Sequence, residues 1–415
     1  MQQISVTRIQ VGMWVSMEPV AGSGFLLRSE AQIAVFAQLG VSDVWYEPEK
    51  SEAAPLPEVS TKADKVPTMS APSSAKGSSF DEEPAIADSE GALDTQRQSL
   101  DRCERRFSAV SKAFRQVLMN VRAQPEEARV LAQTEIGGMV RAIQNEQDVA
   151  IRLLSEKAGQ ETALHAINVS VLSVLLGRAM GLDDDRLNLI GLGALLHDVG
   201  KIELPDVVRT KAESSNPAER RMFQSHVEHS RTLAQRMGLP EAAAAIVAQH
   251  HESADGSGYP AGLMGDAIHP SARVVALVNH YDNLCNPPNP IHALTPHEAI
   301  AAMYRKIKEK FDGSALAAFV RMMGIYPPGS VLQLSDGRFA LSVAVDPANS
   351  LKPKVLVYNP DVPVDEALLV ALATEPELAI QRAIKPMQLP RAAFDYLQPR
   401  KRTSFFIESR VKRAG

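Results

Sequence analysis

The apolar positions of this chain change their period three times. Over residues 1–48, short apolar runs punctuated by glycine, Ile9-Gln10-Val11-Gly12-Met13-Trp14-Val15 and Val41-Ser42-Asp43-Val44-Trp45-Tyr46, flank a helical pattern from Ser29 to Leu39. This predicts a small α+β module. From Glu49 to Gln98 the periodicity stops and proline, serine, alanine and acidic residues take over, as in Ser70-Ala71-Pro72-Ser73-Ser74-Ala75. Such a segment cannot bury a core and is expected to be a disordered linker over 49–98. Helical spacing then returns with Phe107, Val110, Phe114, Val117 and Leu118, within a stretch from Leu100 to about Gly177. Further helical runs cover Leu187–Leu196, Ala218–Met237, Ala242–His250, Ala272–Leu284 and Pro296–Met323, so residues 99–324 read as an all-α region. After Gly324 the pattern alternates again in Ser330–Leu334, Phe339–Val345 and Val355–Tyr358, with the turn Ser335-Asp336-Gly337 between the first two. A β-rich appendage over 325–415 is the expectation.

Composition narrows the function classes. The 415 residues are 45% apolar and 22% charged, a globular balance long enough for two or three domains. Forty-four basic against forty-nine acidic residues leave a charge of -5, which argues against a nucleic-acid polymer as partner. An anionic substrate therefore needs a local positive site. The short basic run Arg400-Lys401-Arg402 reads as solvated surface. Cys103 and Cys285 lie far apart and outside any Cys-x-x-Cys spacing, so neither a disulfide framework nor a thiolate zinc site is expected. No signal-peptide pattern and no apolar run of membrane-spanning length is visible, and a cytoplasmic protein without a membrane span is the reading.

Candidate chemistry gathers in the helical region. Glu161 and His165 stand four apart and share one helix face. His197 and Asp198 end an apolar helix just before Gly200, and Lys201 follows within a turn. His226 lies on the next amphipathic helix, and His250-His251 ends the one after it. Successive helices projecting such residues inward are how helical bundles build metal sites. Nitrogen and oxygen ligands without thiolate suit iron, manganese or zinc. The run Gly256-Ser257-Gly258-Tyr259-Pro260 reads as a substrate-side loop, because Gly256 and Gly258 would allow close approach of backbone to a ligand. His229, His269, His280, His292 and His297 read as structural.

On these residues the stretch from about 155 to 324 resembles an HD-GYP domain, a subgroup of the HD metal-dependent phosphohydrolases. The matching motifs are Glu161-Thr-Ala-Leu-His165, Leu195-Leu-His197-Asp198-Val-Gly200-Lys201, His226, and His250-His251-Glu252-x-x-Asp255-Gly256-x-Gly258-Tyr259-Pro260. Residues 1–48, chiefly Val11-Gly12-Met13-Trp14-Val15, resemble a domain of unknown function that commonly precedes it. The resemblance implies a multidomain chain with an all-α HD-type catalytic core. It implies hydrolysis of the bacterial second messenger cyclic di-GMP to pGpG and, in some members, GMP. It further implies a centre of two or three divalent iron or manganese ions, with Asp198 bridging and Glu161, His165, His197, His226, His250 and His251 as ligands. Lys201 would neutralise charge on a phosphate oxygen. The partners implied are cyclic di-GMP, a diguanylate cyclase or another signalling protein, and a second copy of the chain.

Three positions depart from the family pattern. Asn279 stands where an aspartate ligand is usual, and an amide oxygen is the weaker ligand for a hard cation. Asp282 remains, but the resemblance implies that its counterpart supports the site or is structural rather than a ligand. Pro288 replaces an arginine that holds substrate phosphate, a role that Arg273 or Arg305 would have to take. Asn168 replaces a more usual arginine three residues after His165. The alternative these departures support is a catalytically impaired domain acting as a cyclic di-GMP-binding or protein-binding adaptor.

Overall fold

The computed structural model describes residues 2–16, 25–27, 33, 43–56, 86–145, 149–154, 161–210, 216–399 and 402–409. The chain divides into two compact units, Met1–Gln96 and Arg97–Gly415.

In the first unit, β1 (Gln2–Ser5), β2 (Trp14–Ser16), β3 (Phe25–Leu26) and β4 (Asp43–Tyr46) form an antiparallel sheet in the order β1-β4-β2-β3. Strand alternation sends Val44 and Tyr46 into the core and leaves Trp45 half-buried, and Ile4, Val6, Ile9, Met13, Val15 and Leu27 complete the cluster. Of the helix expected over Ser29–Leu39, only Ile33 lies within the described residues; it packs on that cluster.

The expected linker ends sooner than its composition suggests. Residues 57–85 lie outside the described residues, but helix α1 (Ile86–Asn120) begins well before Gln98. Its first turns, Ile86-Ala-Asp-Ser-Glu-Gly-Ala-Leu-Asp-Thr-Gln, are polar enough to hide the helix from a periodicity reading yet contain no proline and several good helix formers. Cys103, Phe107, Val110, Phe114 and Val117 form its buried stripe.

The second unit continues with α2 (Pro125–Asn145), α3 (Glu161–Ala179), α4 (Asp184–Leu196), α5 (Asp206–Thr210), α6 (Pro217–Gln224), α7 (His226–Met237), α8 (Glu241–Gln249), α9 (Pro270–Cys285), α10 (Pro296–Lys306) and α11 (Gly313–Met323). Helix α3 is the axis of this unit. Apart from the half-buried His165 it is buried from Ala163 through Leu176, and it packs against α4, α9 and α11. Two runs expected to be single helices are broken. Ser225, whose hydroxyl donates to the Met222 carbonyl, separates α6 from α7. After Lys306 the chain turns, and Asp312 caps a fresh start at α11 by accepting from the Ala315 amide.

The C-terminal strands are β6 (Val331–Leu334), β7 (Phe339–Val345), β8 (Lys354–Val357), β9 (Val370–Ala371), β10 (Ile380–Ile384) and, after helix α12 (Arg391–Leu397), β11 (Phe405–Ser409). They form one sheet with a strand from far upstream, β5 (Val149–Leu153), in the order β10-β6-β7-β5-β11, with β8 on β7 and β9 on β8. Residues 99–324 are therefore not wholly helical. The run Val149-Ala-Ile-Arg-Leu153 is buried throughout, and without alternation a buried strand looks like buried helix. β5 pairs with β11 from Leu153↔Phe405 to Val149↔Ser409. Between them Arg152 Nη1 meets Glu408 Oε1 at 2.5 Å, both side chains almost fully buried, and the Ser99 hydroxyl donates to the same oxygen.

Candidate metal centre

Helix ends position the cluster. His197 caps the C-terminus of α4 and His250 that of α8, while His226 opens α7 immediately after α6. Each of these three rings turns its Nδ1 onto the backbone carbonyl three residues earlier: His197 on Ala194 at 2.6 Å, His226 on Phe223 at 2.7 Å and His250 on Val247 at 2.9 Å. Carbonyls at a helix end lack their usual intrahelical partner, and the Ala194 and Val247 carbonyls take these rings instead. His165, one turn into α3, places its Nδ1 2.6 Å from Asp282 Oδ2 on α9. With the proton held at Nδ1, all four rings present an Nε2 lone pair.

These lone pairs converge on Asp198. Its Oδ2 faces His197 Nε2 at 3.2 Å and His165 Nε2 at 3.5 Å; its Oδ1 faces His226 Nε2 at 3.2 Å and His250 Nε2 at 3.6 Å. His251 joins the second group, so Asp198 divides its two oxygens between two ligand sets. Imidazole meets imidazole in both halves, His165 Nε2 to His197 Nε2 at 3.2 Å and His226 Nε2 to His250 Nε2 at 3.4 Å. Asp198 Oδ1 and His251 Nε2 are buried without a hydrogen-bond donor or acceptor. Lone pairs facing one another across such distances, together with orphaned buried acceptors, fit cations and little else.

The electrostatics agree. Burial drives His250 down to about 3 and also lowers His197 and His251, so these rings are neutral and able to ligate. Burial alone would raise the Asp198 carboxyl, but His197 and Lys201 outweigh it and hold the group well below the usual range. Of the two, Lys201 is the permanent charge, its Nζ 2.5 Å from Asp198 Oδ2 and 5.3 Å from the centroid of the Phe223 ring. Gly200 makes this turn possible. A Cβ there would overlap the backbone of His226 and Ser230, and its amide donates to the Ser230 hydroxyl, so α7 lies directly on the turn after Asp198.

The Gly-Tyr-Pro loop closes on the His251 side. The Tyr259 ring stacks on His251 with centroids 4.5 Å apart and planes at 20°, and its amide donates to the His251 carbonyl. Glu252, buried, takes the amides of Ala261 and Leu263 and so holds the loop by its far limb. The glycines are required by the loop's own fold. A Cβ on Gly258 would strike the backbone of residues 251–253, and Gly256 has φ +77°.

Other candidates are placed elsewhere. Arg273 Nη1 lies 3.0 Å from both Asp266 and Asp312, committing the guanidinium to two carboxylates; no contact among the described residues links it to the cluster. Arg305 is exposed on α10 and Pro288 is exposed beyond α9. Asn279 is buried one turn before Asp282, and its Oδ1 accepts from Asn283 Nδ2. Glu161 begins α3, and its side chain lies outside the described residues. Sequence reasoning passed over the supporting residues Asn286 and Thr403 and left Asn168 without a role. Nothing in their periodicity marks them, because their partners lie more than a hundred residues away.

Five histidines set around one aspartate by successive helices form a cluster able to hold metal ions. Residues 148–315 match the family model described as HD domain, and residues 1–130 match the domain of unknown function DUF3391. The DUF3391 match extends past the first 48 residues into α2. A cyclic di-GMP phosphodiesterase of Pseudomonas aeruginosa is 28% identical over 372 residues, 86% of this chain and 85% of the relative. A cyclic di-GMP phosphodiesterase response regulator of Xanthomonas campestris is 29% identical, covering 49% of this chain and 56% of its own length. A 3'3'-cGAMP-specific phosphodiesterase of Vibrio cholerae is 35% identical over 31% of this chain and 25% of the relative. Among the described residues, no helix is long and apolar enough to cross a membrane.

Proposed function

We propose that the protein is a metal-dependent phosphodiesterase that hydrolyses cyclic di-GMP to pGpG, with GMP as a further product. The observation that carries this reading is the division of Asp198, each oxygen facing its own set of imidazoles. His165 and His197 with Oδ2 would hold one divalent cation, and His226, His250 and His251 with Oδ1 a second, iron or manganese by the nitrogen and oxygen donor set. Cations bound there supply Lewis acidity and an activated water for displacement at phosphorus.

The chain's own residues do the rest. Lys201 keeps a positive charge beside Asp198, where a nonbridging phosphate oxygen gains from it. Tyr259 covers one face of His251 and shields it from water. The three backbone-bonded histidines and the Asp282-bonded His165 are held in one tautomer before anything binds. The substrate assignment draws on the relatives named for cyclic di-GMP, one of which aligns over most of both chains. The binding-only adaptor is the less favoured reading, since these relatives are named as enzymes. We place the protein in the reducing cytoplasm, where two buried free cysteines are at ease.

The test uses purified full-length protein loaded with iron or manganese, with metal counted per chain. Cyclic di-GMP and 3'3'-cGAMP are offered separately and the products followed by chromatography. Cyclic di-GMP is expected to yield pGpG at the faster rate. Intact cyclic di-GMP beside a full metal site would overturn the proposal.

A further inference from the structure

Asp282 does more than hold His165. It is completely buried and its carboxylate takes three N–H donors: His165 Nδ1 at 2.6 Å on Oδ2, and Asn168 Nδ2 at 2.7 Å and Asn286 Nδ2 at 2.9 Å on Oδ1. Both asparagines carry their remaining groups to the same distant place. Asn168 Nδ2 and Asn286 Nδ2 donate to the Thr403 carbonyl at 2.8 and 3.0 Å. The Thr403 amide donates back to Asn286 Oδ1 at 2.8 Å, and the Phe405 amide donates to Asn168 Oδ1 at 2.9 Å. Thr403, Ser404 and Phe405 are all buried, and the strand that follows is fastened to β5 along five residue pairs.

We infer that the segment Thr403–Phe405 is a positioning element of the metal centre, acting through Asn168 and Asn286 on Asp282 and so on His165. The inference rests on the two-cation reading above and adds to it which half is governed from the far end of the sequence. An asparagine at 168 is short enough to sit, without solvent exposure, between Asp282 and the backbone of 403–405. The His226, His250 and His251 half has no such dependence. The His226 ring is oriented by the Phe223 carbonyl at the end of α6 and the His250 ring by the Val247 carbonyl of α8, and His251 is stacked on Tyr259. Loss of the clamp should therefore loosen one cation and spare the other.

The experiment titrates the metal-free full-length chain with Co²⁺ and follows the visible absorbance band by band. Wild type is expected to take two equivalents. Asn286→Ala, at a half-exposed position, is expected to weaken one equivalent about tenfold or more and leave the other within about twofold. His251→Ala should weaken the other equivalent, and the double variant both. Ser99→Ala, which loosens β11 at Glu408 without touching Asp282, should lower the melting temperature and leave both affinities unchanged. If Asn286→Ala does not fold at the assay temperature, Asn286→Ser carries the same comparison. Two equivalents in wild type with no differential loss in the Asn286 variant would overturn this inference alone. A single equivalent in wild type would overturn the two-cation reading and the inference with it.

Discussion

Asp198 faces four imidazole nitrogens and an ammonium, so its charge, rather than its shape, organises the cluster. Asp198→Asn keeps the shape and removes the charge. It is expected to lower bound metal in both halves and to cut turnover at least ~100-fold, beyond the usual effect of a supporting residue; metal analysis and product formation check both. Lys201→Ala should behave differently. Removing a charge that acts on the substrate phosphate is expected to lower kcat by about 10²-fold while metal per chain stays at the wild-type level. Equal loss of metal would assign the lysine to the site's assembly instead. Asn279→Asp restores a carboxylate at the buried position before Asp282. Stronger metal retention or a faster rate is expected if that position completes the ligand set, and an unchanged titration would show that it does not.

The histidines and Asp198 were legible in the sequence because their spacing on successive helices is local. What could not be read was which atoms hold them. His197, His226 and His250 take carbonyls three residues back, and that geometry exists only once α4, α6 and α8 terminate where they do. At the scale of elements, the same limit explains β5. A five-residue buried strand between long helices has no period of its own, and its partner β11 lies about 250 residues downstream. Arg152 and Glu408 test that pairing. Glu408→Ala leaves a buried guanidinium beside β11 and should cost about 3–5 kcal/mol in chemical denaturation, whereas replacing both residues by apolar ones of similar size should cost much less. Gly200→Ala forces a methyl into the backbone of α7 and is expected to destabilise by about 1–3 kcal/mol, with loss of metal because His226 moves with that helix.

For the whole molecule, the first unit's sheet and its cluster form one core, and the helices with the second sheet form another. Calorimetry of the full chain should resolve two transitions. Added Mn²⁺ should raise only the transition of the larger unit, by about 2.7 kcal/mol of stability at a hundredfold excess over its dissociation constant. A shift of both would show that the units melt together.

The clamp on Asp282 also bears on the order of events during synthesis. By the time residue 286 has left the ribosome, every histidine and aspartate of the centre has been made, yet Asn168 and Asn286 still lack the backbone of residues 403–405. β5 likewise waits for a neighbour separated from it by most of the catalytic region. Such distant pairing is slow, because the loop between the partners must close before either is rewarded. On the clamp inferred above, a nascent chain would hold its histidines and Asp198 around an unfinished support until β11 arrives.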